Sequence, residues 1–355
     1  MQRSRTYTEE SLSYSPWVNS SGPEKILIIR FHALGDVAIT LPTCTALREK
    51  WRDKRIDFIT SGPCAGLLNA LEIFDNVYIF RQSNDRRARF AEAIRRGFDS
   101  QRTKYDVIID LQRNWVSRLI RRVAMPKSWG EFNRFAPRPA GDRVLETFHK
   151  IGFTDLVPSY QMRIKGETRE AARNILMDYG WDGEGRLVVL NPAGLWETRN
   201  WPLANYVELA GLWSEHEQVK FLFLGTERLC DQARYLTDEL GGSAINLVDK
   251  TSLGEALAIL QFVSVLVSED SGLMHMAWVS GVPTVALLGS SRGDWSRPLG
   301  KQSRCLHSGD LPCGACMEAK CRFGDVHCLT RYTPEVVFNV VQELVAESEN
   351  LVDVT

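Results

Sequence analysis

Short apolar runs alternate with stretches of helical period along most of the chain, the pattern of parallel α/β sheets. In the first half the runs fall at 25–30, 56–60, 76–80 and 106–111, with helices expected at 43–51 and 90–97. The pattern restarts in the second half with "RLVVLN" (186–191), "VKFLFLG" (219–225), "SAINLV" (243–248), "VSVLVS" (263–268) and "VPTVALLG" (282–289). Near the end, Val336, Val337, Val340, Val341, Leu344 and Val345 fall on one face of a helix expected over 334–347. The polar stretch 163–168 reads as the linker between the halves. The pattern therefore predicts an α/β protein of two doubly wound domains facing each other across a cleft. Ligands of such sheets bind beyond the carboxyl ends of the strands.

Composition narrows the class. The 355 residues suit two domains of roughly 150 residues each. A net charge of −1 argues against nucleic acid held by bulk electrostatics. No apolar run approaches the roughly 18 residues that span a bilayer. The first 24 residues lack the charged-then-apolar pattern of a signal peptide. They read as a flexible tail on a cytoplasmic protein, ahead of domains at 25–165 and 166–332 and a closing helix and tail at 333–355.

Three strand-end loops of the second half carry candidate chemistry. "SEDSGLMHMAWVSG" (268–281) follows a run and opens a helix near Ser271. Free N–H groups and the helix dipole make such an end an anion site, suited to a diphosphate. Ser271 and Gly272 permit close approach, and His275 lies one turn on, facing the anion or else bonded within the core. Asp270 is read as the helix cap. "NPAGLWETRNWP" (191–202) places Arg199 ahead of a helix expected to begin at Trp201-Pro202, with proline in its favoured first turn. A guanidinium there can grip phosphate oxygens in pairs. "FLGTERL" (223–229) sets Glu227 just beyond a strand, where a carboxylate can accept from ribose hydroxyls.

The first half opens on "ILIIRFHALGDVAITLP" (26–42), a strand, a turn with one glycine, and Asp36 directly after it. A carboxylate is out of place in a phosphate loop. With the phosphate grip in the second domain, Asp36 reads as a general base for an acceptor hydroxyl. The alternative is a helix cap. No strand ends in G-x-G-x-x-G, which disfavours a nicotinamide dehydrogenase.

Four segments, "ILIIRFHALGDVAITLP", "IIDLQRNWVSRLI" (108–120), "NPAGLWETRNWP" and "SEDSGLMHMAWVSGVPTVALLGSS" (268–291), resemble glycosyltransferase family 9, the ADP-heptose:lipopolysaccharide heptosyltransferases, in order and spacing. The resemblance implies a GT-B fold of two Rossmann-like domains, with the acceptor on the first and the nucleotide-sugar on the second. It implies inverting transfer of heptose from ADP-heptose with no metal in the chemistry. Asp36 then corresponds to the catalytic base and Arg199 to the family's phosphate-binding lysine. Asn191, Gly194, Glu227, Thr251, Asp270, Ser271, Gly272 and His275 correspond to donor contacts, with Ser271 in place of threonine. Arg30, His32, Gln112 and Arg113 fall in the acceptor segments. There the family usually has glycine where Arg113 stands, and lysine where Val116 or Ser117 stands. The expected acceptor is the lipopolysaccharide core or a protein of autotransporter type. A catalytically idle nucleotide-sugar-binding module is the reading from another class. Nucleic acid and more than peripheral membrane contact are not expected.

Five of the eight cysteines lie between Cys305 and Cys328. The set Cys313, Cys316, Cys321 and Cys328 has one tight pair and four thiolates, which suits tetrahedral Zn or Fe. The resemblance adds that similar clusters occur in an iron-binding subset of the family. A metal there would be structural. The alternative is a set of free thiols.

Overall fold

The computed structural model describes residues 12–19 and 21–352. The chain divides into two compact units, Met1–Arg163 and Ile164–Thr355, so the expected linker stretch holds the boundary.

The first unit is built on a six-stranded sheet, β1 (Tyr14–Ser15), β2 (Lys25–Ile29), β3 (Arg55–Ser61), β4 (Asn76–Phe80), β5 (Val107–Asp110) and β6 (Ser128–Glu131). Its order is β1-β6-β5-β2-β3-β4, parallel throughout except where β1 pairs with β6. Strands covered by helices on both faces read as continuous apolar runs. Accordingly Ile26, Leu27, Ile28 and Ile29 of β2 are fully buried. Within the expected tail, residues 12–19 and 21–24 include β1, and Trp17 N donates to Ile151 O. That stretch is docked rather than free, while the start of the tail lies outside the described residues.

The second unit repeats the plan with β7 (Arg186–Asn191), β8 (Val219–Phe223), β9 (Ala244–Asn246), β10 (Val265–Glu269), β11 (Thr284–Leu288) and β12 (Ser303–His307). All neighbours are parallel in the order β12-β11-β10-β7-β8-β9. The last helix, Pro334–Val352, buries Val337, Val341, Leu344 and Val345 in this unit's core with Trp213 and Phe221.

Both sheets have a topological switch point. In the first it lies between β2 and β5, in the second between β7 and β10. Connections leave to opposite sides there, which opens a crevice at the carboxyl ends of the paired strands. The connections after β2, β5, β7 and β10 contain Asp36, Gln112, Arg199 and Asp270 respectively.

Candidate active site

At the first switch point, Asp36 lies in the first turn of the short helix Leu34–Ala38. Its Oδ2 accepts from Ala33 N at 3.1 Å, so the carboxylate does cap the helix, from the third position rather than from the cap itself. The same oxygen lies 2.7 Å from Arg30 Nη2, and 43% of the Asp36 side chain remains exposed. Arg30 is buried beneath it. It donates from Nη1 to Leu111 O and lies over the Phe132 ring. The arginine thus ties the β2 loop to the β5 loop and orients the carboxylate without covering it.

Gln112 and Arg113 are placed inside the unit. Gln112 Oε1 accepts from Phe31 N at 2.8 Å, a second clip between the two loops. Arg113 donates its backbone N–H to Asp110 and lies 3.7 Å from Glu131. Its φ of 46° is in the left-handed region that favours glycine. Asp110, which the sequence pattern does not single out, is fully buried and holds Gln112 N, Arg113 N and Ser117 Oγ. Burial pushes its carboxyl up to about 6. His32 is exposed and lines a polar cavity of about 340 Å³ with Phe31, Phe80, Asn84, Arg89 and Asn114. Arg89 and Asn114 were not legible as candidates in the sequence.

At the second switch point, the helix after β10 runs Gly272–Val279, and its cap is Ser271, not Asp270. Ser271 Oγ accepts from Met274 N at 3.1 Å and from Asn191 Nδ2 at 2.8 Å. Asn191 ends β7, is buried, and also donates to Ser268 Oγ, while its Oδ1 has no hydrogen-bond partner. With the cap taken by serine, Asp270 pairs with Arg199 Nη1 and accepts from Ser291 Oγ.

Arg199 ends the single turn Glu197–Arg199 in the loop after β7. The following helix starts at Leu203 with Pro202 at its cap, slightly later than the sequence suggests. The guanidinium stacks on the Trp196 ring at 4.1 Å, and Nη2 meets Met317 Sδ at 3.7 Å. Nε is buried with no hydrogen-bond partner. Asp270 therefore holds one Nη of the fork, while Nε on its other side has no acceptor. Beneath the turn, Thr198 O accepts from Ser290 N at 3.0 Å, and a Cβ on Gly289 would come within 2.2 Å of that carbonyl.

His275 is buried one turn into the helix, and its Nδ1 accepts from Trp278 Nε1 at 3.0 Å. An indole N–H only donates, so the neutral imidazole carries its proton on Nε2. Gly194 N is bonded to Glu269, a buried strand-end carboxyl the sequence pattern does not mark. Glu227 is exposed in the turn after β8, and Thr251 precedes the helix Leu253–Ile259, capped by Ser252. The Arg199 group itself unites Asn191, Arg199, Asp270 and Ser271.

The segment from Cys313 to Cys328 follows β12. Burial, and then the charges of Cys316, Cys321 and Cys313, push the Cys328 thiol up to about 11. Yet among the described residues no three His, Cys, Asp or Glu side chains are grouped to hold a metal ion. All eight cysteines are free, and Cys321 Sγ lies 3.8 Å from Asp325 Oδ1. The segment packs under the Arg199 turn, where Thr198 Oγ1 donates to Glu318 O and Met317 N to Ser290 O.

Two Rossmann-type sheets, each with charged side chains gathered at its switch point, make up the GT-B plan. The chain belongs to glycosyltransferase family 9 (heptosyltransferase), whose model matches residues 87–327. The lipooligosaccharide heptosyltransferase 2 of Campylobacter jejuni is 22% identical over 322 residues, which are 88% of this chain and 96% of that protein. Among solved structures, a family 9 glycosyl transferase of Veillonella parvula superposes with a TM-score of 0.77 at 19% identity, covering 91% of this chain and 98% of that one. The ADP-heptose lps heptosyltransferase II of Escherichia coli gives a TM-score of 0.71 at 18% identity, covering 92% and 99%. Among the described residues no helix is long and apolar enough to cross a membrane.

Proposed function

We propose that this chain transfers heptose from ADP-heptose to a hydroxyl of the lipopolysaccharide core or a related acceptor, with inversion and with no metal in the chemistry. The observation that carries the reading is the Arg199 group. A guanidinium fixed by Asp270 beside a capped helix N-terminus, at a switch point, is suited to a sugar-linked diphosphate. It is supported by the names of the relatives, which are lipooligosaccharide and lipopolysaccharide heptosyltransferases.

In this mechanism the acceptor oxygen attacks the anomeric carbon while the bond from that carbon to the diphosphate oxygen breaks. Asp36 takes the hydroxyl proton, as an exposed carboxylate oriented by Arg30. ADP leaves with the electron pair of the broken bond, and Arg199 offsets the charge growing on its terminal phosphate. The helix N-terminus after Ser271 adds N–H groups to the same charge. His32, Arg89 and Asn114 on the polar cavity are the acceptor contacts of this reading, and Glu227 and Thr251 serve the ribose and adenine. Action in the cytoplasm, where nucleotide-sugars are made, belongs to the same proposal. Incubation with ADP-heptose and candidate acceptors, read by mass, tests it. An acceptor gaining one heptose supports the reading, and lasting absence of both transfer and ADP release refutes it.

A further inference from the structure

Glu269 is the last residue of β10 and is fully buried. A carboxyl in that position is costly to bury unless donors meet it. Three do. Its Oε2 accepts from Gly194 N at 2.6 Å, and its Oε1 accepts from Trp201 N at 2.6 Å and from Tyr206 Oη at 3.3 Å. Gly194 and Trp201 bracket the turn that carries Arg199, so one carboxyl holds both ends of that loop.

The loop is closed from within as well. A Cβ on Gly194 would lie 2.4 Å from Arg199 O, so the two ends of the loop touch. In its satisfied orientation the Asn200 amide donates to Gly194 O at 2.9 Å and to Trp196 O at 3.2 Å. The next residue in the chain, Asp270, binds the Arg199 guanidinium itself. Adjacent carboxyl groups thus divide the task, one fixing the backbone of the loop and the other its side chain.

We infer that Glu269 is the positioning residue of the diphosphate grip, acting on the nucleotide through Arg199 without touching it. The inference rests on the reading of Arg199 as a diphosphate ligand. Glu269→Gln keeps the size but turns an amide N–H₂ towards a backbone N–H, so one end of the loop is released.

The test is a double-mutant cycle read as ADP affinity by calorimetry at a pH above about 8, where the wild-type carboxyl is ionised, with Glu269→Gln made in the wild-type chain and in Arg199→Ala. In the wild-type chain Glu269→Gln is expected to weaken ADP about tenfold, the scale of one misplaced charged contact. In the Arg199→Ala background it is expected to change ADP affinity by less than about twofold, because the group it positions is gone. Tyr206→Phe removes only the longest contact and should leave affinity within about twofold of wild type. Equal losses in both backgrounds, or no loss in the wild-type chain, would overturn the inference. Should Glu269→Gln fail to fold, Gly194→Ala disturbs the same loop without altering the carboxyl and is read in the same cycle. If Arg199→Ala alone leaves ADP binding unchanged, it is the diphosphate reading of Arg199 that fails. If Arg199→Ala weakens ADP while Glu269→Gln does not, only the present inference fails.

Discussion

Arg199 Nη1 lies 2.9 Å from Asp270 Oδ2, with 12% and 11% of the two side chains exposed. The pair joins the loop after β7 to the helix start after β10, across the switch point of the second sheet. Its charges hold a cation ready where a diphosphate would sit. Arg199→Ala is expected to weaken ADP binding about tenfold to a hundredfold, from a charged hydrogen bond worth roughly 1.5–3 kcal/mol. Arg199→Lys should recover much of this, since the charge returns although the fork does not. Calorimetric titration with ADP checks both.

Asp36→Asn should keep the fold, because the side chain is partly exposed and an amide oxygen can still accept from Ala33 N. It should lower kcat by about 10²–10⁴-fold, the usual worth of a positioned base, with ADP affinity unchanged. Near-normal turnover in the variant would leave Asp36 as a helix cap alone.

Gly289→Ala meets Thr198 O at 2.2 Å, in backbone that is pinned by Ser290 N. The turn bearing Arg199 must shift to admit the methyl group. A stability loss of about 1–3 kcal/mol is expected, as for other overpacked sites, together with weaker ADP binding. A thermal melt and the same titration measure the two effects. An unchanged Tm would show that the turn yields freely.

Burial holds the Glu269 carboxyl up to about 8, above the ordinary 4.5. Between those values the folded chain binds a proton that the unfolded chain has lost. The free energy of unfolding therefore falls as pH rises through that window. Asp110, raised by burial to about 6, acts with the same sign at lower pH. The Tm of the wild-type chain should fall between pH 5.5 and 8.5 more steeply than that of Glu269→Gln. Parallel curves for the two proteins would contradict the assignment.

Most strands were legible because the apolar runs of doubly covered strands are local. The 186–191 run is β7 itself, and Lys25–Ile29 lies within one residue of the expected bounds. The missed strands are short or polar. Ser128–Glu131 has four residues, one a glycine, and Ser303–His307 is an edge strand with a single leucine. Tyr14–Ser15 is a strand only because β6 offers it an edge. At the site, Arg199 and Asp36 were legible because strand ends and loop lengths fix where they emerge. The exchange of roles between Asp270 and Ser271 was not, since either can cap a helix and the choice depends on Arg199, far along the chain. Glu269 was hidden for the same reason, its donors lying 68 and 75 residues away.

Heptose transfer is measured by incubating the purified chain with ADP-heptose and a heptose-deficient lipopolysaccharide core. The mass of the core should rise by one heptose residue with one ADP released, and Asp36→Asn should abolish most of the rise. ADP-heptose bound tightly yet left intact, with no acceptor gaining mass, would make the chain a nucleotide-sugar-binding module and contradict the account.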